Sequence, residues 1–144
     1  YSVDKENLLD IGCGSGILML IGKKMGINNV DGIDIDPNVK SVVIENMERN
    51  NINENYNVII GNLVDDVDEK YDIIVSNILV DVLTQLLDSM ETVLKDGAII
   101  IFSGILKEKS EDFIKMAETH SFIEIERKEK NKWSAVAFKY EKDK

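Results

Sequence analysis

The stretch Leu8 to Gly16, Leu-Leu-Asp-Ile-Gly-Cys-Gly-Ser-Gly, constrains this chain more than any other. Leu8, Leu9 and Ile11 around Asp10 read as a short buried strand, and Gly12, Gly14 and Gly16 follow as a turn lacking β-carbons at alternate positions. Bare backbone of this kind reaches conformations closed to other residues and lets a ligand approach the main chain. The apolar run Ile17 to Ile21 comes next and ends near Gly22 and Gly26, so the turn joins a strand to a helix. That is the context in which a glycine turn binds a nucleotide. The spacing is Gly-x-Gly-x-Gly, whereas a dinucleotide loop carries its third glycine one place later, where this chain has Ile17. The shape suits a nucleoside with an uncharged or cationic tail better than a pyrophosphate.

Val30-Asp31-Gly32-Ile33-Asp34-Ile35 reads as a second strand, and Asp36-Pro37 opens a helix, with Asp36 as its capping carboxylate and Pro37 at its first position. Asp34 is then left at the strand's carboxyl end, 22 residues after Gly12. An acid about that far on grips ribose hydroxyls in nucleotide folds, its two oxygens accepting from both. The second helix carries Val39, Val42, Val43 and Met47 on one face. Val58 to Ile60 is a short third strand ending at Gly61-Asn62. The Asn62 amide there either meets the edge of an adenine ring or serves as a turn residue.

Tyr71 to Ser76 is the fourth strand and delivers Asn77 at its carboxyl end. From Leu79 to Leu94 apolar residues recur every three or four positions, which predicts a helix of four turns stopped by Asp96-Gly97. The apolar run Ala98 to Phe102 is expected of a strand buried on both faces, closed by Ser103-Gly104. A last helix over Lys107 to Thr119 packs through Phe113, Ile114 and Ala117. Phe122 to Arg127 and Trp133 to Tyr140 alternate apolar and polar as a hairpin, with Trp133 read as core in preference to a substrate platform.

Strand and helix thus alternate before a terminal hairpin. The expected fold is α/β, a doubly wound, Rossmann-like, mostly parallel sheet of about seven strands with the last antiparallel. In such sheets ligands bind outside the carboxyl ends of the strands. Gly12, Asp34, Asn62, Asn77 and Ser103 all fall at those ends.

At 144 residues, 44% hydrophobic and 31% charged, the chain is one ordinary globular domain. No apolar run approaches a membrane span and no signal peptide opens it, so a soluble, cytoplasmic protein, by default a monomer, is expected. It begins at Tyr1 with a strand almost at once, as a piece of something longer would. The lone Cys13 excludes an internal disulfide or a thiolate metal cluster and reads as a small buried residue. His120, the one histidine, excludes a multi-histidine site and reads as a helix-end residue, so no metal is expected. Residues 1 to 104 hold 18 acids against 7 bases, and residues 105 to 144 hold 9 against 10. An acidic surface of net charge −10 repels nucleic acid and attracts a basic protein, and it also keeps a domain soluble.

Taken together, the glycine turn, Gly32-Ile-Asp-Ile-Asp-Pro37, Asn77-Ile-Leu79, Ser103-Gly-Ile-Leu106 and the late Trp133 resemble class I S-adenosylmethionine-dependent methyltransferases. Within that class they resemble the catalytic domain of the family that methylates large-subunit ribosomal protein eleven, over nearly the whole chain. The resemblance implies that the loop of Gly12, Gly14 and Gly16 contacts the methionine part of S-adenosylmethionine and Asp34 its ribose. It also implies that Ile35 packs on adenine, that Asp10 orders the loop or the amino group, and that Asn77 lies beside the methyl group. The reaction implied is methylation of lysine side chains and an N-terminal amine of a basic ribosomal protein, without metal. The family's N-terminal recognition domain, linker and a threonine-bearing segment are absent from residues 1 to 144, and Asn62 stands where relatives often carry an acid. Alternatives are a cofactor-binding fragment inactive alone, or a methyltransferase for another amine such as a nucleic-acid base. The latter usually follows its Asn or Asp with Pro-Pro and an aromatic, where this chain has Ile78 and Leu79.

Overall fold

A computed structural model describes residues 7–65 and 67–142. Seven strands form one sheet: β1 (Asn7–Ile11), β2 (Asn29–Asp34), β3 (Tyr56–Ile60), β4 (Tyr71–Asn77), β5 (Leu94–Leu106), β6 (Phe122–Lys130) and β7 (Trp133–Tyr140). Their order is β3-β2-β1-β4-β5-β7-β6, with β1 to β5 mutually parallel and β7 antiparallel to both its neighbours. The expected sheet and its single reversed strand are both present. The chain leaves β1 toward β2 on one side and β4 on the other, so the strand order reverses at β1 and opens a crevice at its carboxyl end.

Helices α1 (Ile17–Lys24) and α2 (Val39–Arg49) cover one face. Leu8, Met19, Val30, Val43, Met47 and Ile73 form the core between them and the sheet. Close approach of α1 to β2 depends on Gly32, where a β-carbon would lie 2.4 Å from the Met19 sulfur and 2.8 Å from Cys13. On the other face α3 (Val80–Leu87) and α4 (Ser110–Glu118) close a larger core. There Phe102 packs against Phe113, Phe122 and Phe138 at centroid distances of 5.3 to 6.5 Å.

Five local expectations are corrected. The apolar recurrence from Leu79 to Leu94 is not one helix: α3 ends at Leu87, and Met90–Val93 form a separate 3-10 turn. Ser89 donates its hydroxyl to the Leu86 carbonyl (3.2 Å) and Thr92 to the Ser89 carbonyl (2.8 Å), side-chain bonds that compete with helix continuation. A 3-10 turn stacks residues three apart, so Met90 and Val93 stay buried and the spacing survives the break. The proline is not inside α2, which starts at Val39; Asp36 accepts from the Asn38 amide (2.9 Å) and shapes the turn before it. Val42 lies outside the core on the exposed side of α2. Ser103-Gly104 does not end β5 but forms a bulge within it, two residues facing Ala135 alone, after which pairing resumes at Ile105 with Ser134. Trp133 is not core: it is 44% exposed.

His120 follows α4 as expected of a helix-end residue. It bridges two helices, with Nδ1 3.1 Å from the Met116 carbonyl and Nε2 3.0 Å from Asp88 at the end of α3. The Met116 carbonyl, and then Asp88, raise its pKa above 6.5, opposed by partial burial. A raised folded value stabilises fully below the unfolded value and is lost as pH rises through the folded one. Urea melts should therefore show a stabilising contribution at pH 5.5 that fades by pH 8, and Asp88→Asn should reduce that difference without abolishing it.

Candidate active site

The glycine turn is held by the end of β2. The Gly12 and Cys13 amides both donate to the Ile33 carbonyl, at 2.7 and 3.1 Å, the Gly14 amide donates to Asp34 Oδ2 at 3.0 Å, and the Gly16 amide donates to the Cys13 carbonyl at 2.9 Å. Three positive φ angles, 76° at Gly12, 52° at Gly14 and 85° at Gly16, produce this path. Because these four amides are spent inside the protein, the turn does not present them to a pyrophosphate. The expected preference for a ligand with no phosphate tail there has this physical basis.

The three glycines nevertheless have different surroundings. A β-carbon on Gly14 would meet nothing within 4 Å, so the open side of the turn lies there. One on Gly16 would press on Val43 at 3.1 Å, and one on Gly12 would lie 2.7 Å from Ile78 Cγ2. Gly12 and Gly16 thus also let α2 and the segment after β4 close over the turn.

Asp34 ends β2 half-buried, accepting the Gly14 amide on one oxygen and the Asp36 amide (3.1 Å) on the other. Each carboxylate oxygen keeps a second lone pair for a hydroxyl donor. Beyond it Ile35 is 70% exposed, an apolar side chain left on the rim. A groove of about 270 Å³ is bounded by Gly12, Asp34, Ile35, Asn62, Ile78 and Val82. Asn62 presents an exposed side chain to it while its carbonyl accepts the Asp65 amide at 3.1 Å, so it is a turn residue placed at the groove.

Asn77 lies in the adjoining groove, bounded by Asn77, Ile78, Leu79, Val82, Gly104 and Trp133. Ile78 and Val82 line both grooves, so Asp34 and Asn77 face one continuous crevice. Asn77 pairs with Ser103 across the sheet, and a β-carbon on Gly104 would fall 2.3 Å from Asn77 Oδ1. The bulge at Gly104 (φ 75°) therefore makes room for the Asn77 amide. Ile78, Val82 and Gly104 were not legible as site residues, and Trp133 was weighed as a substrate platform but read as core. The Gly104 signal, a glycine inside a strand pattern, marks a bulge as readily as a strand end.

Asp10 sits beneath the turn, 1% exposed, and its Oδ2 has no hydrogen-bond partner among the described residues. Burial, and then the charge of Asp34, push its carboxyl up to about 7. Asp31, the other buried aspartate of this sheet, is satisfied by contrast, accepting from the Tyr71 hydroxyl (2.6 Å) and Asn29 (3.2 Å). Burial and the two carboxylates Asp10 and Asp34 push the Cys13 thiol up to about 12, which leaves it inert as a nucleophile. Among the described residues no three His, Cys, Asp or Glu side chains converge to hold a metal ion.

The family model described as "Ribosomal protein L11 methyltransferase (PrmA)" matches residues 1–141. The chain belongs to the ribosomal protein L11 methyltransferase family. It is 42% identical over 136 residues to the ribosomal protein L11 methyltransferase of Fusobacterium nucleatum, covering 93% of this chain and 44% of that protein. To the Dictyoglomus thermophilum member of the family it is 36% identical over 154 residues, covering 98% of this chain and 46% of that one. The solved ribosomal protein L11 methylase from Lactobacillus delbrueckii subsp. bulgaricus superimposes with a TM-score of 0.91 at 29% identity, covering 96% of this chain and 72% of that one. The chain therefore spans less than half the length of these curated members of the methyltransferase family.

The Asp10 carboxyl has a folded value near 7 against an ordinary 3.8. Its contribution thus favours folding most below about 3.8 and is lost as pH rises through about 7. Thermal melts of the ligand-free domain should show Asp10→Asn gaining on wild type between pH 4.5 and pH 8. A gap that does not change with pH would show that Asp10 has no such shift.

Proposed function

We propose that this chain is the S-adenosylmethionine-binding domain, residues 1–144, of a methyltransferase acting on lysine side chains and the N-terminal amine of ribosomal protein L11. Membership of the family supports the reaction and the substrate protein. The observation that carries the cofactor is the buried Asp10 carboxyl, its Oδ2 without a hydrogen-bond partner among the described residues, leading into a glycine turn four of whose amides have acceptors inside the protein. A carboxyl oxygen held there without a donor fits a ligand bearing an ammonium group, and the four amides already engaged favour such a ligand over a phosphate.

When bound, S-adenosylmethionine supplies an electrophilic methyl group on a sulfonium, and the remaining tasks fall to this chain. Asp10 and the open backbone at Gly14 serve the methionine end, with Gly12 and Gly16 shaping the turn. Asp34 takes the ribose hydroxyls, Ile35 packs on the adenine and Asn62 meets its edge. Asn77 holds the incoming amine. Its Oδ1 accepts one of the amine's hydrogens, which points the nitrogen lone pair along the crevice toward the methyl. With the cofactor bound, the neutral nitrogen would take the methyl and leave as a methylated ammonium, its proton having passed to solvent beforehand.

The amine enters as an ammonium and must lose its proton before it attacks. Deprotonating lysine at pH 7 costs roughly 4.6 kcal/mol from a pKa of about 10.4, against about 1 kcal/mol for an α-amine. Desolvation between Ile78, Leu79 and Val82 lowers that cost by disfavouring the ammonium form. No described residue at the crevice has to act as a general base. The reading places the protein in the cytoplasm with its ribosomal substrate, as a monomer binding neither nucleic acid nor membrane. No described helix is long and apolar enough to cross a membrane.

Calorimetry with S-adenosylhomocysteine and a methyl-transfer assay on ribosomal protein L11 test the reading together. Asn77→Ala should lower kcat at least a hundredfold while the dissociation constant of S-adenosylhomocysteine changes less than threefold. Gly104→Ala, whose new β-carbon displaces the Asn77 amide, should reproduce that split more mildly. Absence of S-adenosylhomocysteine binding would reject the cofactor; binding without transfer, in the full-length gene product, would leave a binding module.

A further inference from the structure

The indole of Trp133 stands partly in solvent beside Asn77, in the groove that Leu79 also lines. Its backbone is fixed from three sides. Trp133 pairs with Leu106 of β5 and with Lys130 of β6, and the preceding Lys132 carbonyl accepts the Lys107 amide at 2.8 Å. Asn131, with φ 57°, sets the tight turn that leads into it. A rigidly mounted ring that remains 44% exposed contributes little to the core. It walls the groove that Asn77 also lines, with Gly104 between them.

The ring already has a cation on it: Lys132 Nζ lies 5.6 Å from its centroid. Ammonium groups are drawn to an indole face by the ring quadrupole, most strongly where water is excluded. The groove is therefore polar at one end, where an amide oxygen accepts N–H donors, and aromatic at the other, where a positively charged alkylammonium is favoured. Each methyl added to an amine removes a hydrogen that the amide can accept and leaves the cation that the ring prefers.

We propose that Trp133 is the specificity-determining wall for the substrate amine, and that the Lys132 ammonium competes with the substrate for its face. The proposal rests on the methyltransferase reading and adds to it the alkylammonium side chain as the species the ring selects. Entry of a substrate lysine then exchanges one ammonium for another, so the cost of clearing the ring is small and electrostatically neutral.

Steady-state kinetics on the full-length gene product, with ribosomal protein L11 as substrate, test this. Trp133→Leu should raise KM for L11 about tenfold and leave the dissociation constant of S-adenosylhomocysteine unchanged. Trp133→Phe, which keeps an aromatic face, should recover most of the loss, and Lys132→Ala should lower KM. An unchanged KM in Trp133→Leu, or an equal loss of S-adenosylhomocysteine binding, overturns the proposal by making the ring a bystander or a structural residue. A second measurement does not depend on turnover. The emission difference between wild type and Trp133→Phe, titrated with Nε-trimethyl-lysine amide in the presence of S-adenosylhomocysteine, should change and saturate. A flat titration overturns the proposal. Wild type that binds S-adenosylhomocysteine but transfers nothing to L11 would instead count against the methyltransferase reading, with the emission titration still deciding the role of the ring.

Discussion

Two neighbouring acceptors at the end of β2, the Ile33 carbonyl and the Asp34 carboxylate, take three amides from the glycine turn, and the site depends on that clamp. It couples two parallel strands at their carboxyl ends by something other than the sheet's own ladder. The turn is drawn toward β2, α1 is launched from a defined point at Gly16, and Asp34 is oriented by the same bond that fixes Gly14. A hydrogen bond to a carboxylate is stronger than one between neutral groups, so Asp34 is also the turn's strongest restraint. Position of the turn and position of the acid are one constraint.

The clamp has an electrostatic cost. Holding Asp34 against the turn keeps its charge near Asp10, whose carboxylate is already disfavoured by burial. An apolar residue at position 10 would relieve both effects, since β1 pairs normally with β2 and β4 on either side of it. A buried acid with an orphaned oxygen is a destabilising feature in a strand that is otherwise Leu8, Leu9 and Ile11. Asp31, equally buried in the adjacent strand, shows what a structural carboxylate looks like here: both oxygens occupied, one by a tyrosine hydroxyl. The two aspartates thus differ: Asp31 serves the fold with both oxygens bonded, and Asp10 keeps an oxygen without a partner among the described residues.

Much of this was legible in the residues. Alternation of short apolar runs with amphipathic segments specified the parallel sheet, and glycine, aspartate and asparagine at strand ends marked the crevice before any coordinate. What escaped shares a physical cause. Periodicity reports which side chains are buried, not how the backbone gets them there. A helix followed by a 3-10 turn therefore reads as one long helix through Met90 and Val93. A bulge likewise reads as a strand end at Ser103-Gly104. Trp133 was assigned to the core, although alternation in β7 puts it in step with the exposed Lys139 and out of step with the buried Val136, Phe138 and Tyr140. Only the third dimension shows that β7 starts beside the end of β4.

Those same misreadings mark where the Asn77 side of the crevice is built. Gly12 yields space to Ile78, Gly104 yields space to Asn77, and the bulge at Ser103-Gly104 shifts the pairing that brings Trp133 opposite Leu106. Each is a place where regular structure is broken so that the segment after β4 can lie between the turn and the end of the sheet. Irregular backbone is costly in a sheet interior and persists where it re-aims side chains. Its concentration around Asn77, on the opposite side of the crevice from the regular β2 end, divides the work. The regular half of the sheet edge holds the turn and Asp34 in one position, and the irregular half is where Asn77 and its neighbours can be re-aimed without moving Asp34.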